Sequence, residues 1–307
     1  MKFAHIAILC GTSLVSIPVA AQQGHAPSIP KKAHQVASPH GERQDEYYWL
    51  RDDTRKNPEM LAYLAAENSY ADAQLARLKP LAATLYSETV SHIKQDDSSV
   101  PYRKNGYWYS SRYAKGADYP MIERRKSEAD PAQVMFDQPA MAAGKSYFAL
   151  SDWAVSPDNK LVAWAEDSVG RRQYVLRVKD LATGALSVDT IENVEPNLVW
   201  ADDNRTLLYV AKDPVTLRGY RVMAHTLGTP VASDRVLYEE KDDTYQMGIG
   251  RTTDDRFICV TVESTTSDEQ RCSSASAPAN FRVVAPRERE FRYKADHLGS
   301  GPVKLLA

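Results

Sequence analysis

Residues Asn197–Asp213, NLVWADDNRTLLYVAKD, place a polar turn sequence between two apolar segments. Residues Trp153–Asp167, WAVSPDNKLVAWAED, repeat this arrangement, and Asp254-Asp255 precedes a third apolar run at Phe257–Val260. Asp and Asn tolerate the left-handed backbone conformation and bond to their own backbone, so they favour tight turns. Each copy therefore predicts two strands joined by a short turn.

The copies recur at a nearly regular interval. The turn positions 158, 203 and 254 are separated by 45 and 51 residues, and Asn105-Gly106 lies 53 residues before position 158. A period of roughly 40 to 50 residues with four strands each is typical of the blades of a β-propeller. A single blade cannot bury both of its faces, so blades stack around an axis. The alternative is a β-sandwich with coincidental turns, but three spaced copies favour the propeller.

The remaining strands follow the same order. Val100–Tyr113 predicts a hairpin, in which Asn105-Gly106 can adopt the positive φ angles of a tight turn. Further strands are expected at these positions: Tyr119–Lys126, Gln133–Phe136, Gln173–Val178, Ala185–Val188, Gly219–His225, Val236–Glu239 and Phe281–Val284.

A helical arm precedes the β region. Asn57-Pro58 predicts a helix start, and apolar residues spaced by three and four continue until Lys79-Pro80. A second helix is expected over Leu81–Ile93. The predicted domains are a signal peptide (1–21), a two-helix N-terminal arm (22–94) and a partial propeller (95–307). The fold class is mainly β with an α-helical arm and no α/β-hydrolase domain.

The composition and charge of the chain limit its fold and its partners. The chain has 307 residues, of which 43% are hydrophobic and 25% charged, so it can form a sizeable core. A formal charge of -2 with both signs interspersed predicts no nucleic-acid partner and no basic membrane patch. No sequence motif predicts a cofactor or a metal site.

The first 21 residues have the pattern of an export signal. Lys2 is followed by an apolar stretch and by Val19-Ala20-Ala21, after which a signal peptidase would cut. The alternative is a membrane anchor, but the stretch is short and His5 and Pro18 interrupt it. We expect cleavage after Ala21, a periplasmic or secreted protein, and no membrane association after cleavage.

Two cysteines remain after that cleavage, Cys259 and Cys272. A cross-strand disulfide is one alternative. We expect two unpaired, partly buried thiols, because a chain of this size does not need a cross-link to fold. We also expect His225 to be an ordinary strand residue, and the acidic segment from Glu239 to Asp243 to be a solvated loop.

The chain resembles a known family of proteins. The residues that carry the resemblance lie between Asp45 and His297 and include EYYWLRDD, LAYLAAENSYADAQLARLKPLAATLYSE, IKQDDSSVPYRKNGYWYSSRYAKGADYPMIERRK, WAVSPDNKLVAWAEDSVGRRQYVLRVKDLATG, YVAKDPVTLRGYRVMAHTLGT, YEEKDDTYQMGIGRT and VESTTSDEQ. They are similar to the amino-terminal part of the oligopeptidase B group in the prolyl oligopeptidase family of serine peptidases.

The resemblance implies a helical arm, a seven-bladed propeller and a C-terminal α/β-hydrolase domain that holds Ser, Asp and His. It also implies that the arm packs against the hydrolase domain, and that the propeller limits entry to short peptides, which are cleaved after Lys or Arg. The nucleophile of such a domain lies in a Gly-x-Ser-x-Gly turn. No such motif occurs in these 307 residues, so we predict no catalytic residue and no activity of this chain alone.

The resemblance ends after His297, where Gly299–Ala307 replaces the expected strand. We expect about four of seven blades, with truncation in the fifth, and short peptides and the missing hydrolase domain as the partners. Two alternatives remain: a periplasmic binding module without catalytic activity, or a truncated product without function.

Overall fold

The computed structural model describes residues 25–299 and the backbone of residues 304–306. The predicted signal peptide lies outside these residues. The chain divides into two compact units, one up to Lys94 and the other from Gln95 onward. Within the described residues, no helix is both long enough and apolar enough to cross a bilayer.

The first unit is a helical arm with a short hairpin. Its elements have these bounds: β1 Gln35–Ser38, β2 Gly41–Gln44, α1 Pro58–Leu75 and α2 Lys79–Ser91. Asn57 caps α1 as predicted, because its Oδ1 accepts hydrogen bonds from the amides of Glu59 (3.0 Å) and Met60 (3.3 Å). Met60 is the only buried side chain of the two helices.

The second unit consists of four blades of antiparallel strands and the start of a fifth, which confirms the predicted mainly β fold. The first blade contains β3 Asp97–Ser98, β4 Tyr102–Lys104, β5 Tyr107–Tyr113, β6 Met121–Arg125 and β7 Gln133–Asp137. After a short helix, α3 Gln138–Ala142, the second blade contains β8 Ala149–Val155, β9 Leu161–Asp167, β10 Tyr174–Asp180 and the first half of β11 Leu186–Trp200.

The third blade begins in the second half of β11, which is therefore shared between two blades. It continues through β12 Thr206–Lys212, β13 Gly219–Thr226 and β14 Arg235–Glu239. The fourth blade contains β15 Gln246–Arg251, β16 Phe257–Glu263, β17 Asp268–Ser274 and β18 Arg282–Ala285. The pair β19 Lys294–Asp296 and β20 Lys304–Leu306 begins the fifth.

The repeated Asp/Asn motif is explained by backbone geometry. Asn105, Asn159, Asn204 and Asp255 occupy the corresponding turn of each blade, with φ angles of 46°, 63°, 57° and 59°. Asn and Asp adopt this left-handed conformation more readily than other residues with a side chain. In three of these turns the preceding carboxylate accepts hydrogen bonds from backbone amides, as predicted for turn residues: Asp158, Asp203 and Asp254.

The core lies between the blades. On β12, Leu207 and Tyr209 belong to a cluster shared with the second blade, whereas Leu208 and Val210 belong to a cluster shared with the fourth. Successive side chains of a strand point to opposite faces, so both faces of this strand are buried. Burying each such side chain stabilises the fold by about 1.5–3 kcal/mol. This explains why the sequence has a continuous apolar run at this position.

The expectation of two free thiols is wrong. Cys259 on β16 and Cys272 on β17 form a disulfide. The two residues are direct cross-strand partners, with their Cα atoms 4.1 Å apart. The sequence does not reveal this register, which places the two sulfur atoms within bonding distance.

The expectation of a solvated loop from Glu239 to Asp243 is wrong for Glu240, which is 4% exposed. Its carboxylate pairs with Arg287 and accepts a hydrogen bond from the Tyr238 hydroxyl. Burial alone would raise the pKa of Glu240, but hydrogen bonds from Arg287 and Tyr238 outweigh burial and lower it. The long side chain of Arg287 reaches Glu240 from 47 residues later in the chain, which sequence patterns do not show.

Candidate functional site

The second unit contains a cavity of about 920 Å³, which we call the central channel. Apart from Tyr109 of β5, its lining residues belong to β4, β8, β11 and β15 and to the turns that follow them. These are the first strands of the hairpins that carry the repeated motif. The same repeat that forms the blades therefore also forms the channel wall.

Hydrogen bonds join the turns of neighbouring blades at this channel. The Asn159 side-chain amide donates to the carbonyl of Asn105 (3.2 Å), and the Asp158 amide donates to Oδ1 of Asn204 (2.8 Å). Arg251 of the fourth blade donates to the carbonyl of Trp200 in the third (2.7 Å). These contacts fix the position of each turn relative to the next.

Six charged side chains line the channel, and two ion pairs account for four of them. Nη2 of Arg251 lies 2.6 Å from Oδ1 of Asp202, and Nζ of Lys104 lies 3.6 Å from Oδ1 of Asp255. Lys104 belongs to the first blade and Asp255 to the fourth, so this pair connects distant parts of the repeat. The other two groups are Arg103 and Asp152.

Aromatic side chains form another part of the wall. The rings of Tyr102 and Tyr109 stack with centroids 5.4 Å apart, and Tyr109 lies 5.6 Å from the ring of Trp153. Burial raises the pKa of both Tyr102 and Tyr109, so their hydroxyl groups stay neutral near pH 7. The channel therefore combines apolar rings with charged groups, which suits binding of a small polar ligand.

The channel lining contains no serine, cysteine or histidine. Among the described residues, no group of His, Cys, Asp and Glu side chains is placed to hold a metal ion. What the channel offers chemically is hydrogen bonding, ion pairing and aromatic contact. The described lining residues therefore include no serine or cysteine nucleophile with a histidine base beside it.

His225 is a strand residue, as predicted, but not an ordinary one. It is completely buried on β13, with Nε2 3.1 Å from Oδ1 of Asp189 and Nδ1 2.7 Å from Oδ1 of Asp234. Asp234 also accepts a hydrogen bond from the Tyr209 hydroxyl (2.8 Å), and Asp189 accepts one from Ser187. We call these five residues the His225 cluster.

The His225 cluster contains Ser, His and Asp but lacks the geometry of a catalytic triad. In a triad the serine hydroxyl bonds to the imidazole. Here Ser187 bonds to Asp189, and both ring nitrogens face carboxylates. The ring has no exposed surface, so it has no access to a substrate. The cluster holds three strands and a loop together.

His297 follows β19 at the start of the fifth blade. Its Nδ1 lies 2.6 Å from Oδ2 of Asp254, and its ring packs edge-on against Phe257 with centroids 5.1 Å apart. Burial alone would raise the pKa of Asp254, but hydrogen bonds from His297 and Thr252 lower it. The contacts described for His297 therefore join the fourth and fifth blades.

Comparison with known proteins agrees with this geometry. Residues 27–302 match the family model described as prolyl oligopeptidase, N-terminal beta-propeller domain. The chain belongs to the prolyl oligopeptidase family. The resemblance found in the sequence is thereby confirmed, together with the propeller architecture.

Within the prolyl oligopeptidase family, the chain is 54% identical to dipeptidyl aminopeptidase BI of Pseudoxanthomonas mexicana, covering 95% of this chain and 43% of the relative. It is 28% identical to Protease 2 of Moraxella lacunata, covering 84% and 38%. Oligopeptidase B from Leishmania major superimposes with a TM-score of 0.84 at 28% identity, covering 92% and 42%. The chain thus spans about 40% of the length of these relatives.

The sequence predicted no catalytic, cofactor-binding or metal-binding residue in this chain, and this stays a prediction. It also did not identify the channel-lining residues Arg103 and Asp152 as candidates for binding. Their position in the first strand of each repeat was an available signal, because first strands line the axis of a propeller. Whether each charge is paired depends on contacts between blades, which the repeat pattern does not specify.

Proposed function

We propose that this chain is the propeller portion of a serine peptidase that cleaves short peptides after Lys or Arg. Membership of the prolyl oligopeptidase family and the likeness to oligopeptidase B support this proposal. The observation that carries it is the central channel, whose described lining residues include charged and aromatic groups but no serine, cysteine or histidine. The propeller limits which peptides reach the catalytic groups and performs no chemistry itself.

The catalytic Ser, Asp and His belong to an α/β-hydrolase domain in this proposal, and the 307-residue chain is inactive alone. The arm supplies a surface for that domain. Leu81, Leu85 and Tyr86 on α2 are 57%, 53% and 72% exposed. Exposed apolar side chains grouped on one element mark a surface that is covered by a partner.

Release of dipeptides is a second candidate activity for the whole protein. The observation that favours it is the 54% identity to dipeptidyl aminopeptidase BI, against 28% for Protease 2. Such an enzyme acts at a free amino terminus, whereas cleavage after Lys or Arg depends on the side chain of the substrate.

A chimeric enzyme tests the proposed function. Residues 27–302 of this chain replace the corresponding part of dipeptidyl aminopeptidase BI, whose unaltered form is the control. We expect the chimera to hydrolyse short chromogenic peptides and to leave a long unfolded protein intact. One set of substrates has a blocked amino terminus and an Arg residue directly before the cleaved bond. The other set has an unblocked amino-terminal dipeptide before that bond. A folded chimera that degrades the long protein as fast as the short peptides would contradict the role of the propeller.

We also propose that residues 1–21 are an export signal, that residues 22–94 form the arm, and that residues 95–307 belong to the propeller. The Cys259–Cys272 disulfide supports export, because disulfides persist in oxidising compartments such as the periplasm. Expression of the chain in a bacterium, followed by N-terminal sequencing of the periplasmic fraction, should give a protein that starts at Gln22.

A further inference from the structure

Asp152 is a carboxylate of the channel wall that has no cationic partner among the described residues. Four of the six charged channel residues form the two ion pairs described above. Among the residues that the structure describes, neither Asp152 nor Arg103 forms an ion pair. Asp152 lies on β8 of the second blade and is partly buried.

The backbone holds the Asp152 side chain in place. The register of β8 against β9 shifts between Leu150 and Asp152, and bulges of this kind re-aim side chains. Oδ1 of Asp152 accepts a hydrogen bond from the amide of Trp153 (2.8 Å). This fixes the carboxylate in the channel wall before any ligand arrives.

An unpaired carboxylate in this position is energetically unfavourable. Burial raises the pKa of Asp152, and bonds from the amides of Trp153 and Leu198 offset only part of that effect. A partly buried charge is stabilised by a paired charge of opposite sign. A cationic group on a ligand would supply what the described residues do not.

The aromatic part of the wall adds a second attraction for a cation. Trp153 follows Asp152 directly, and its ring is in contact with Tyr109, which stacks on the half-exposed Tyr102. Faces of such rings attract ammonium and guanidinium groups. Asp152 and these rings line the same channel, so an organic cation in it has both a carboxylate and an exposed aromatic ring within the channel wall.

We propose that Asp152 binds the cationic group of a short peptide in the central channel, whose wall also includes the half-exposed ring of Tyr102. This inference rests on the proposed function, since it takes a short peptide as the ligand. The cation is an ammonium or guanidinium group, and either the peptide's free amino terminus or a Lys or Arg side chain can provide it. Asp152 thereby selects peptides before they reach the catalytic groups.

Binding to the 307-residue chain tests Asp152 without any catalytic step, so failure here is distinguishable from failure of the chimera. Isothermal titration calorimetry compares three probes: the neutral acetyl-Gly-Phe-Gly-amide, the free-amine Gly-Phe-Gly-amide, and acetyl-Lys-Phe-Gly-amide. We expect at least one cationic probe to bind about tenfold more tightly than the neutral one, the size expected for a hydrogen bond to a charged group. The probe that gains affinity identifies the source of the cation.

Two variants complete the test. Asp152→Asn should reduce the affinity of the cationic probe to that of the neutral one. Asp255→Asn changes the net charge equally but removes a carboxylate already paired with Lys104, so the tenfold preference should remain. Equal binding of all three probes to the unaltered chain would overturn the assignment, and this comparison does not depend on the folding of a variant. A preference that survives Asp152→Asn would also overturn it.

Discussion

The arm and the propeller portion use their apolar residues in opposite ways. On α1 and α2, Met60 is the only buried side chain, and leucines such as Leu64, Leu75 and Leu85 are about half exposed. On β12, Leu207 and Leu208 are completely buried, on opposite faces of one strand. The arm helices and β12 are both rich in apolar residues. Only the apolar residues of β12 are covered, by the blades that precede and follow it in the chain.

This difference follows from the two architectures. A blade is followed in the chain by another blade, so the repeat itself supplies the covering surface. A pair of helices presents an apolar side that needs another element to cover it. We therefore expect the stability of this chain to depend on the propeller portion and to be insensitive to the arm.

Removal of Asp234 should have the largest effect. This carboxylate is 1% exposed and bonds to both His225 and Tyr209. Asp234→Ala leaves the Tyr209 hydroxyl and Nδ1 of His225 buried without this carboxylate, so we expect a loss of about 3–5 kcal/mol in the free energy of unfolding. Urea denaturation, monitored by circular dichroism, measures this loss of free energy.

Asp72→Ala in the arm is the matched control. Asp72 pairs with Lys79 at 3.5 Å, but both side chains are about 70% exposed. An exposed pair of this kind contributes about 0–1 kcal/mol. Similar losses from the two alanine variants would remove the contrast between the arm and the propeller portion.

Leucine truncation makes the same comparison for apolar contacts. Leu208→Ala removes a completely buried side chain and should destabilise the chain by about 2–5 kcal/mol. Leu85→Ala removes a side chain that is 53% exposed, and its effect should stay within about 0.5 kcal/mol. Thermal melts of both variants, each against the unaltered chain, provide the check. A larger loss for Leu85→Ala would show that the arm is already covered within this chain.

Reduction of the disulfide should have a smaller effect. Cys259 and Cys272 are separated by 13 residues, and closing a loop of that length stabilises a fold by about 2–3 kcal/mol. Dithiothreitol should therefore lower the melting temperature of the unaltered chain. The double variant Cys259→Ala with Cys272→Ala should melt at the same temperature with and without the reductant. An unaltered chain that does not respond to the reductant would indicate unpaired thiols.

The smallest effect concerns acid stability. Burial alone would raise the pKa of Asp189, but hydrogen bonds from Ser187, Gly228 and His225 outweigh burial and lower it. The ionised carboxylate therefore stabilises the fold above the unfolded-state pKa of about 3.9, and this contribution is lost as the pH falls through the lower folded value. Urea midpoints between pH 6 and pH 2 should fall less steeply for Asp189→Asn. An identical dependence of the urea midpoint on pH in the unaltered chain and in Asp189→Asn would contradict the stabilising role of the Asp189 carboxylate.

The sequence predicted the architecture because it is repeated. Asn105, Asn159 and Asn204 mark turns that need positive φ angles, and Asn57-Pro58 marks a helix start, so both are local signals. The cross-strand partner of Cys259, the burial of Glu240 and the acceptors of His225 were not predicted. Each depends on which residues of different strands or blades lie opposite one another, and the period of the repeat does not specify that register.

Labelling of the purified 307-residue chain with a fluorophosphonate tests most directly whether this propeller portion performs chemistry. This reagent modifies a serine that an adjacent base activates. We predict that the intact mass stays unchanged under conditions that fully label a serine hydrolase used as the positive control. A stoichiometric adduct on one serine of this chain, prevented by a short peptide, would contradict the account.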